Sequence, residues 1–217
     1  LAAPEDMYAL LRRAQTHSNR LGYRWHPDKC AVLNSPEWGR AYTLYGQELS
    51  KVPFFKYLGI PFSREGIDFV RLVNDRSHKA TSIMALFRKK GEHQYGLGLW
   101  SALRTYRTFV RPVLEYGLAV AWLAPPQLAV LEKAQKGCIQ MAMNSSPSAN
   151  RPTISLLALA DLPSLQARWR ILQFKFASRA MQLPMSTMLR VSLRSLTRHG
   201  ATLDNHWRVI SERNPVW

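Results

Sequence analysis

An α+β fold is predicted for this 217-residue chain: one helix and a few short antiparallel strands over residues 1–63, then an all-helical region over 64–217. Three observations carry that prediction. An apolar repeat at three- and four-residue steps opens the chain, β-prone runs punctuated by turn residues follow, and from Gly66 long helical periodicities replace the β signals. At 47% apolar residues, the composition suffices for one sizeable core or two small ones.

Pro4 with Glu5 and Asp6 makes a helix start. A first-turn proline needs no N–H partner, and carboxylates suit the positive end of the helix dipole. Met7, Leu10, Leu11, Ala14 and Leu21 then define an apolar face to about Gly22. Pro27 and Asp28 signal a turn, and strands are expected at 30–33, 41–45 and 54–62, with Gly46-Gln47-Glu48 closing a hairpin between the last two. Helices are expected at about 67–90, 100–122 with a bend at Pro112, 127–143, 165–181 and 187–198. The Ser-, Asn- and Pro-rich stretch 144–152 reads as a loop or hinge.

Lys and Arg number 30 against 14 Asp and Glu, a formal charge of +16. That exceeds the magnitude of about 2 to 8 usual for small soluble domains. An anionic polymer is therefore the expected partner, with a solubilising surface as the alternative. Residues 1–63 hold 8 basic and 5 acidic side chains and residues 64–217 hold 22 and 9, which leaves +13 in the second region. There, Arg104, Arg107 and Arg111 fall three and four apart, opposite an apolar set of Leu99, Leu103, Tyr106, Val110 and Val113. Arg168, Lys175 and Arg179 repeat the pattern beside Trp169, Leu172 and Phe176. Either stripe alone reads as solvated surface; two in so basic a region favour phosphate contacts that bind without reading sequence. Arg88-Lys89-Lys90 ends a helix, where cations also suit the dipole.

Cys30 and Cys138 are the only cysteines, and neither they nor the scattered histidines have ligand spacing, so no disulfide framework or zinc site is expected. A reducing, intracellular setting fits. No nucleophile elbow or glycine-rich phosphate loop occurs. No apolar run approaches the roughly 18 residues of a membrane span, the nearest, 113–124, containing Glu115, so no membrane partner is expected. The opening Leu1-Ala2-Ala3-Pro4-Glu5-Asp6 has no secretory signal and reads as the middle of a longer polypeptide. His26-Pro27-Asp28 with Lys29 resembles the loop signature of J-domain co-chaperones. That family sets the tripeptide between two antiparallel helices, whereas here the apolar run 30–33 and Pro36 follow it, so the co-chaperone reading is a minor alternative.

Three ordered segments carry a broader likeness. Leu1-Ala2-Ala3-Pro4-Glu5-Asp6 is followed by Leu21-Gly22-Tyr23-Arg24-Trp25-His26-Pro27-Asp28-Lys29-Cys30 and then by Lys56-Tyr57-Leu58-Gly59-Ile60. In this order they resemble the reverse transcriptases of non-LTR, LINE-like retrotransposons, from just after the Asp-Asp hairpin to the end of the palm. Residues 104–117 with Trp122, and Leu131-Glu132-Lys133-Ala134-Gln135, resemble the helical region beyond it, the likeness fading after about residue 180. It implies a palm remnant over 1–63, holding motif D and the primer grip, and a thumb-like region over 64–217.

The resemblance places Lys29 at the motif D lysine, where a cation suits departing pyrophosphate; the alternative is a turn lysine. Phe55, Lys56, Tyr57, Leu58 and Gly59 would form the primer grip, a hairpin pressing on the primer's 3′ end, against the alternative of an amphipathic edge strand. His26 stands where the family pattern has Asn. The aspartates that bind two metal ions in this family would lie before Leu1, as would the fingers. The implied function is to hold an RNA·DNA hybrid, with no cofactor in this chain, Mg2+ only in the intact enzyme, no catalysis by the chain alone, and a nuclear location. A stand-alone basic nucleic-acid-binding module is the alternative.

Overall fold

The computed structural model describes residues 4–33, 41–145 and 151–191, and the chain is α+β. It divides into two units, Leu1–Asp68 and Phe69–Trp217. The division falls after Asp68 rather than after residue 63, because a further strand continues the last sheet of the first unit.

In the first unit, α1 (Pro4–Arg20) leads through a 3-10 turn (Pro27–Lys29) to β1 (Ala31–Leu33). Then come β2 (Thr43–Leu44), β3 (Gln47–Glu48) and β4 (Ser50–Val52). Last are β5 (Phe54–Tyr57), β6 (Ile60–Ser63) and β7 (Gly66–Ile67). Strand β2 pairs antiparallel with β3, and β5, β6 and β7 form an antiparallel three-stranded sheet. The expectation of antiparallel strands fails for one pair, since β1 runs parallel to β4, with Val32 opposite Lys51.

The expected hairpin between 41–45 and 54–62 is replaced by two separate ones. Strand β2 turns through Tyr45-Gly46 straight into β3, with Thr43 opposite Glu48 and Leu44 opposite Gln47. The run 54–62 breaks at Leu58-Gly59, so Tyr57 faces Ile60. Both two-residue loops have positive φ throughout, 53° and 79° in the first and 48° and 76° in the second, the geometry whose twist matches antiparallel strands. Tyr45 holds this conformation without being glycine because α1 grips it on both sides. Its N–H donates to Gln15 Oε1 at 3.2 Å, and its hydroxyl bonds the buried Ser18 hydroxyl.

The small core of this unit is Tyr42, Leu44 and Leu49, flanked by Met7, Leu11, Cys30 and Val32. Leu10 and Leu21, expected on the buried face of α1, are instead 48% and 59% exposed. A narrow hairpin covers only a narrow stripe of helix, centred here on Met7, Leu11 and Ser18.

The described part of the second unit is all helical. Its elements are α2 (Phe69–Lys89), α3 (Leu99–Thr105), a π-helical turn (Tyr106–Val110) and α4 (Arg111–Glu115). A 3-10 turn (Leu118–Val120) precedes α5 (Pro125–Ala142), α6 (Thr153–Leu159) and α7 (Leu165–Gln182). The helix expected at 187–198 begins at Met188, and its part beyond Val191 lies outside the described residues. Helix α2 packs along α5, burying Val73, Ala80 and Met84 against Leu131, Cys138, Ile139 and Ala142. Steps of three and four on both helices put those residues on facing stripes.

The expected helix 100–122 is not continuous. Pro112 has no N–H and its ring crowds the carbonyl four residues back. The chain upstream widens, and the Arg111 N–H reaches Tyr106 O across a π turn. Downstream, Tyr116 is extended and Gly117 adopts φ 87°, which ends the helix. Helix α6 was not expected; it is short, lies between Pro152 and Pro163, and buries Leu156 alone.

Cys138 is fully buried, and burial pushes its thiol up to about 12, a hydrogen bond with Thr81 pulling the other way. The folded value lies above the ordinary one, so the protonated thiol favours the folded state at neutral pH, and this contribution is lost as pH rises through about 12. In mildly alkaline buffer a thiol reagent is therefore expected to titrate one cysteine, the partly buried Cys30, with the second appearing only in denaturant. Rapid labelling of both in the native protein would contradict this burial.

Candidate nucleic-acid interface

The β5–β6 hairpin presents Tyr57 and Leu58 at its tip, 60% and 70% exposed. Lys56 beside them is exposed, while Phe55, across from Phe62, is partly buried. Gly59 occupies the second left-handed position of the loop, φ 76°, where a side chain would be strained. The tip is thus an exposed aromatic and aliphatic pair on a rigid two-residue turn.

Lys29 ends the 3-10 turn and points to solvent. That turn is tied down by its neighbours: Gln47 Nε2 donates to Asp28 Oδ1 at 2.6 Å, and His26 Nδ1 lies 3.5 Å from Asp28 Oδ2. The His-Pro-Asp tripeptide therefore lies between α1 and a strand, not between two helices.

The arginine stripe 104, 107 and 111 is not one exposed face. A π turn adds a residue to the helical circuit, so side chains after it rotate relative to those before it. Arg104 stays outside, its guanidinium 5.4 Å from the Trp100 ring centroid. Arg107 reaches across to the end of α6, donating to the carbonyls of Ala160 and Asp161, with the Asp161 carboxylate 3.6 Å away.

Arg111 turns inward and is 8% exposed. Its Nε lies 2.9 Å from Glu115 Oε1, and its Nη2 donates to Pro163 O at 3.3 Å. The expectation that Arg111 grips phosphate is corrected accordingly: its charge is spent inside the protein.

Arg168 meets the same carboxylate. Its Nε and Nη2 donate to Glu115 Oε1 and Oε2 at 2.9 and 3.0 Å, a bidentate pair. The hydrogen bond to Glu115 raises the Arg168 pKa further above its already high ordinary value. Glu115 therefore joins α4 to α7 through Arg168 while pairing with Arg111 of its own helix, and Arg168 too is structural. Sequence reasoning missed this role, although Arg111 and Glu115 at an i, i+4 spacing were a legible signal. Lys175 and Arg179, one turn apart on α7, are exposed and have no ion pair among the described residues. Arg104, Lys175 and Arg179 are thus the members of the expected set left facing outward.

Buried polar contacts hold the scaffold behind these cations. The Tyr106 hydroxyl donates to Gln135 Oε1 at 3.1 Å, and Gln135 Nε2 donates to Pro163 O at 3.3 Å. Burial drives the Tyr106 pKa far above its ordinary value, so it stays a donor. Glu132 Oε1 accepts the Gln166 N–H at 3.0 Å and Ser164 Oγ accepts that of Ala167, capping α7 where helix N–H groups lack partners.

Among the described residues no group of three or more His, Cys, Asp or Glu is placed to hold a metal ion. Asp28 is bonded to Gln47 and Asp6 is an exposed first-turn residue. These residues do not fit the two-metal site that the polymerase resemblance implies for an intact enzyme. No helix among the described residues is long and apolar enough to cross a membrane. Set against family models, curated proteins and solved structures, the chain matches none.

Proposed function

We propose that this chain is the end of the palm and the thumb-like region of a reverse transcriptase of the non-LTR retrotransposon type, and that it holds an RNA·DNA hybrid without carrying out nucleotidyl transfer. The observation that carries the reading is the β5–β6 hairpin, which follows the Leu21–Cys30 segment in the chain and displays Tyr57 and Leu58 on a two-residue tip beside Lys56. A stiff aromatic tip suits contact with a terminal base and its sugar, because ring stacking needs no particular base. Arg104, Lys175 and Arg179 supply phosphate contacts on the helical unit. They bind a sugar-phosphate backbone without reading sequence. Polymerisation, with its Mg2+, belongs to palm residues outside these 217.

Two measurements test this. Photo-crosslinking from position 57 to a primer–template hybrid is expected to label the primer 3′ end in preference to internal positions. Uniform labelling along the hybrid would assign the chain instead to the class of stand-alone basic binding modules. The variant Arg104→Ala/Lys175→Ala/Arg179→Ala is expected to weaken hybrid binding for all sequences and flatten the salt dependence by about 2 to 3 in log–log slope, at about 0.9 per phosphate contact. Unchanged affinity and slope would remove the helical unit from the interface. Arg111 and Arg168 are unsuitable for this purpose, since their loss disturbs the fold.

A further inference from the structure

The formal excess of the first region is small, 8 basic against 5 acidic side chains over residues 1–63, but the structure concentrates it. Ala9, Arg12, Arg13, Thr16, His17 and Arg20 line one shallow open groove along α1. All six are exposed. Their spacing puts them on one helical stripe, opposite the inward set Met7, Leu11 and Ser18 that meets the hairpin core. Between Arg12 and Arg20 the stripe extends roughly 12 Å at 1.5 Å per residue. Among the described residues none of its arginines has an ion pair. This differs from the helical unit, where Arg111 and Arg168 are held by Glu115.

Helix-dipole stabilisation accounts for part of the stripe only. His17 and Arg20 lie in the last turn, where cations are favoured, but the effect fades within one turn and does not reach Arg12 and Arg13. We infer that the outer face of α1 is a second nucleic-acid contact, one that binds the phosphate backbone of a duplex independently of the hairpin tip. The floor between the cations is Ala9 and Thr16, small enough for a strand to lie along the helix. No Phe, Tyr or Trp lies on the stripe and His17 is its one ring, so successive unpaired bases have no stacking platform, which favours a duplex over a single strand. An anionic membrane is disfavoured as well: membrane-surface helices insert a broad apolar face, whereas the Met7 and Leu11 side of α1 packs in the core and Leu10 and Leu21 only border the stripe.

The test uses the full 217-residue chain and a blunt DNA duplex, which offers neither an RNA strand nor a recessed primer end. Arg12→Gln/Arg13→Gln/Arg20→Gln keeps good helix formers in α1. It is expected to lower duplex affinity about tenfold at physiological salt and to flatten the salt slope by roughly 2 to 3. Arg12→Lys/Arg13→Lys/Arg20→Lys should retain most of the binding, since position-insensitive phosphate contacts need charge more than shape. If the Gln variant folds, by circular dichroism, and binds the duplex with unchanged affinity and slope, the inference is overturned. It is equally overturned if the Gln variant loses binding only to anionic phospholipid vesicles. Because the blunt duplex lacks a primer terminus, failure of the hairpin reading leaves this outcome unaffected, and the reverse also holds.

Discussion

Glu115→Ala is expected to destabilise the helical unit by about 3 to 5 kcal/mol, the cost typical of removing one partner from a buried ion pair. The carboxylate is only 13% exposed and serves two guanidiniums at once, Arg111 at 10% and Arg168 at 30%. Without it Arg111 keeps its charge in a nearly dry site, with Pro163 O as its remaining acceptor. Arg168, more open to water, contributes less of the penalty. Urea unfolding followed by far-ultraviolet circular dichroism should show a clear fall in midpoint at unchanged slope. A midpoint within experimental error of the parent chain would mean that water serves these arginines as well as Glu115 does.

Trp169→Ala is expected to cost a similar amount, about 3 to 5 kcal/mol, for a different reason. Trp169 is buried, meets Trp122 edge-on at 6.4 Å, and donates its indole N–H to Ala121 O at 3.0 Å. Alanine would leave a void between α7 and the segment after Gly117. Trp169→Phe keeps most of the volume, and Ala121 O retains a second donor, Gln173 Nε2 at 2.8 Å. That variant should therefore lose only about 1 kcal/mol. If Phe and Ala prove equally damaging, the hydrogen bond outweighs the packing.

What the sequence revealed depended on how far a pattern ran without interruption. Helices α2, α5 and α7 each repeat apolar side chains over 18 or more residues, and their limits lie close to those expected. The apolar pattern read 54–62 as one strand because Leu58 carries no turn signal of its own, whereas the resemblance implied a hairpin at 55–59, and the chain does turn at Leu58-Gly59. Arg111 misled in another way. The stripe with Arg104 and Arg107 assumed an unbroken α-helix, and although Pro112 signalled a bend, nothing local said that a widened turn would rotate the next arginine inward. Glu115 seemed merely to interrupt an apolar run, since its second partner, Arg168, lies 53 residues away. The α1 stripe was legible in the spacing of Arg12, Arg13, His17 and Arg20, although the 8 basic and 5 acidic side chains of residues 1–63 leave that region only a small net charge.

The widened turn at Tyr106–Val110 sets local regularity against the integrity of the domain. A chain one residue shorter there would wind more evenly and satisfy its backbone in ordinary helical fashion. It would also turn Arg111 and Glu115 together relative to α3, and with them the carboxylate that ties α4 to Arg168 on α7. Improving this helix by helix-forming preference alone would therefore take apart the assembly that the irregularity makes possible.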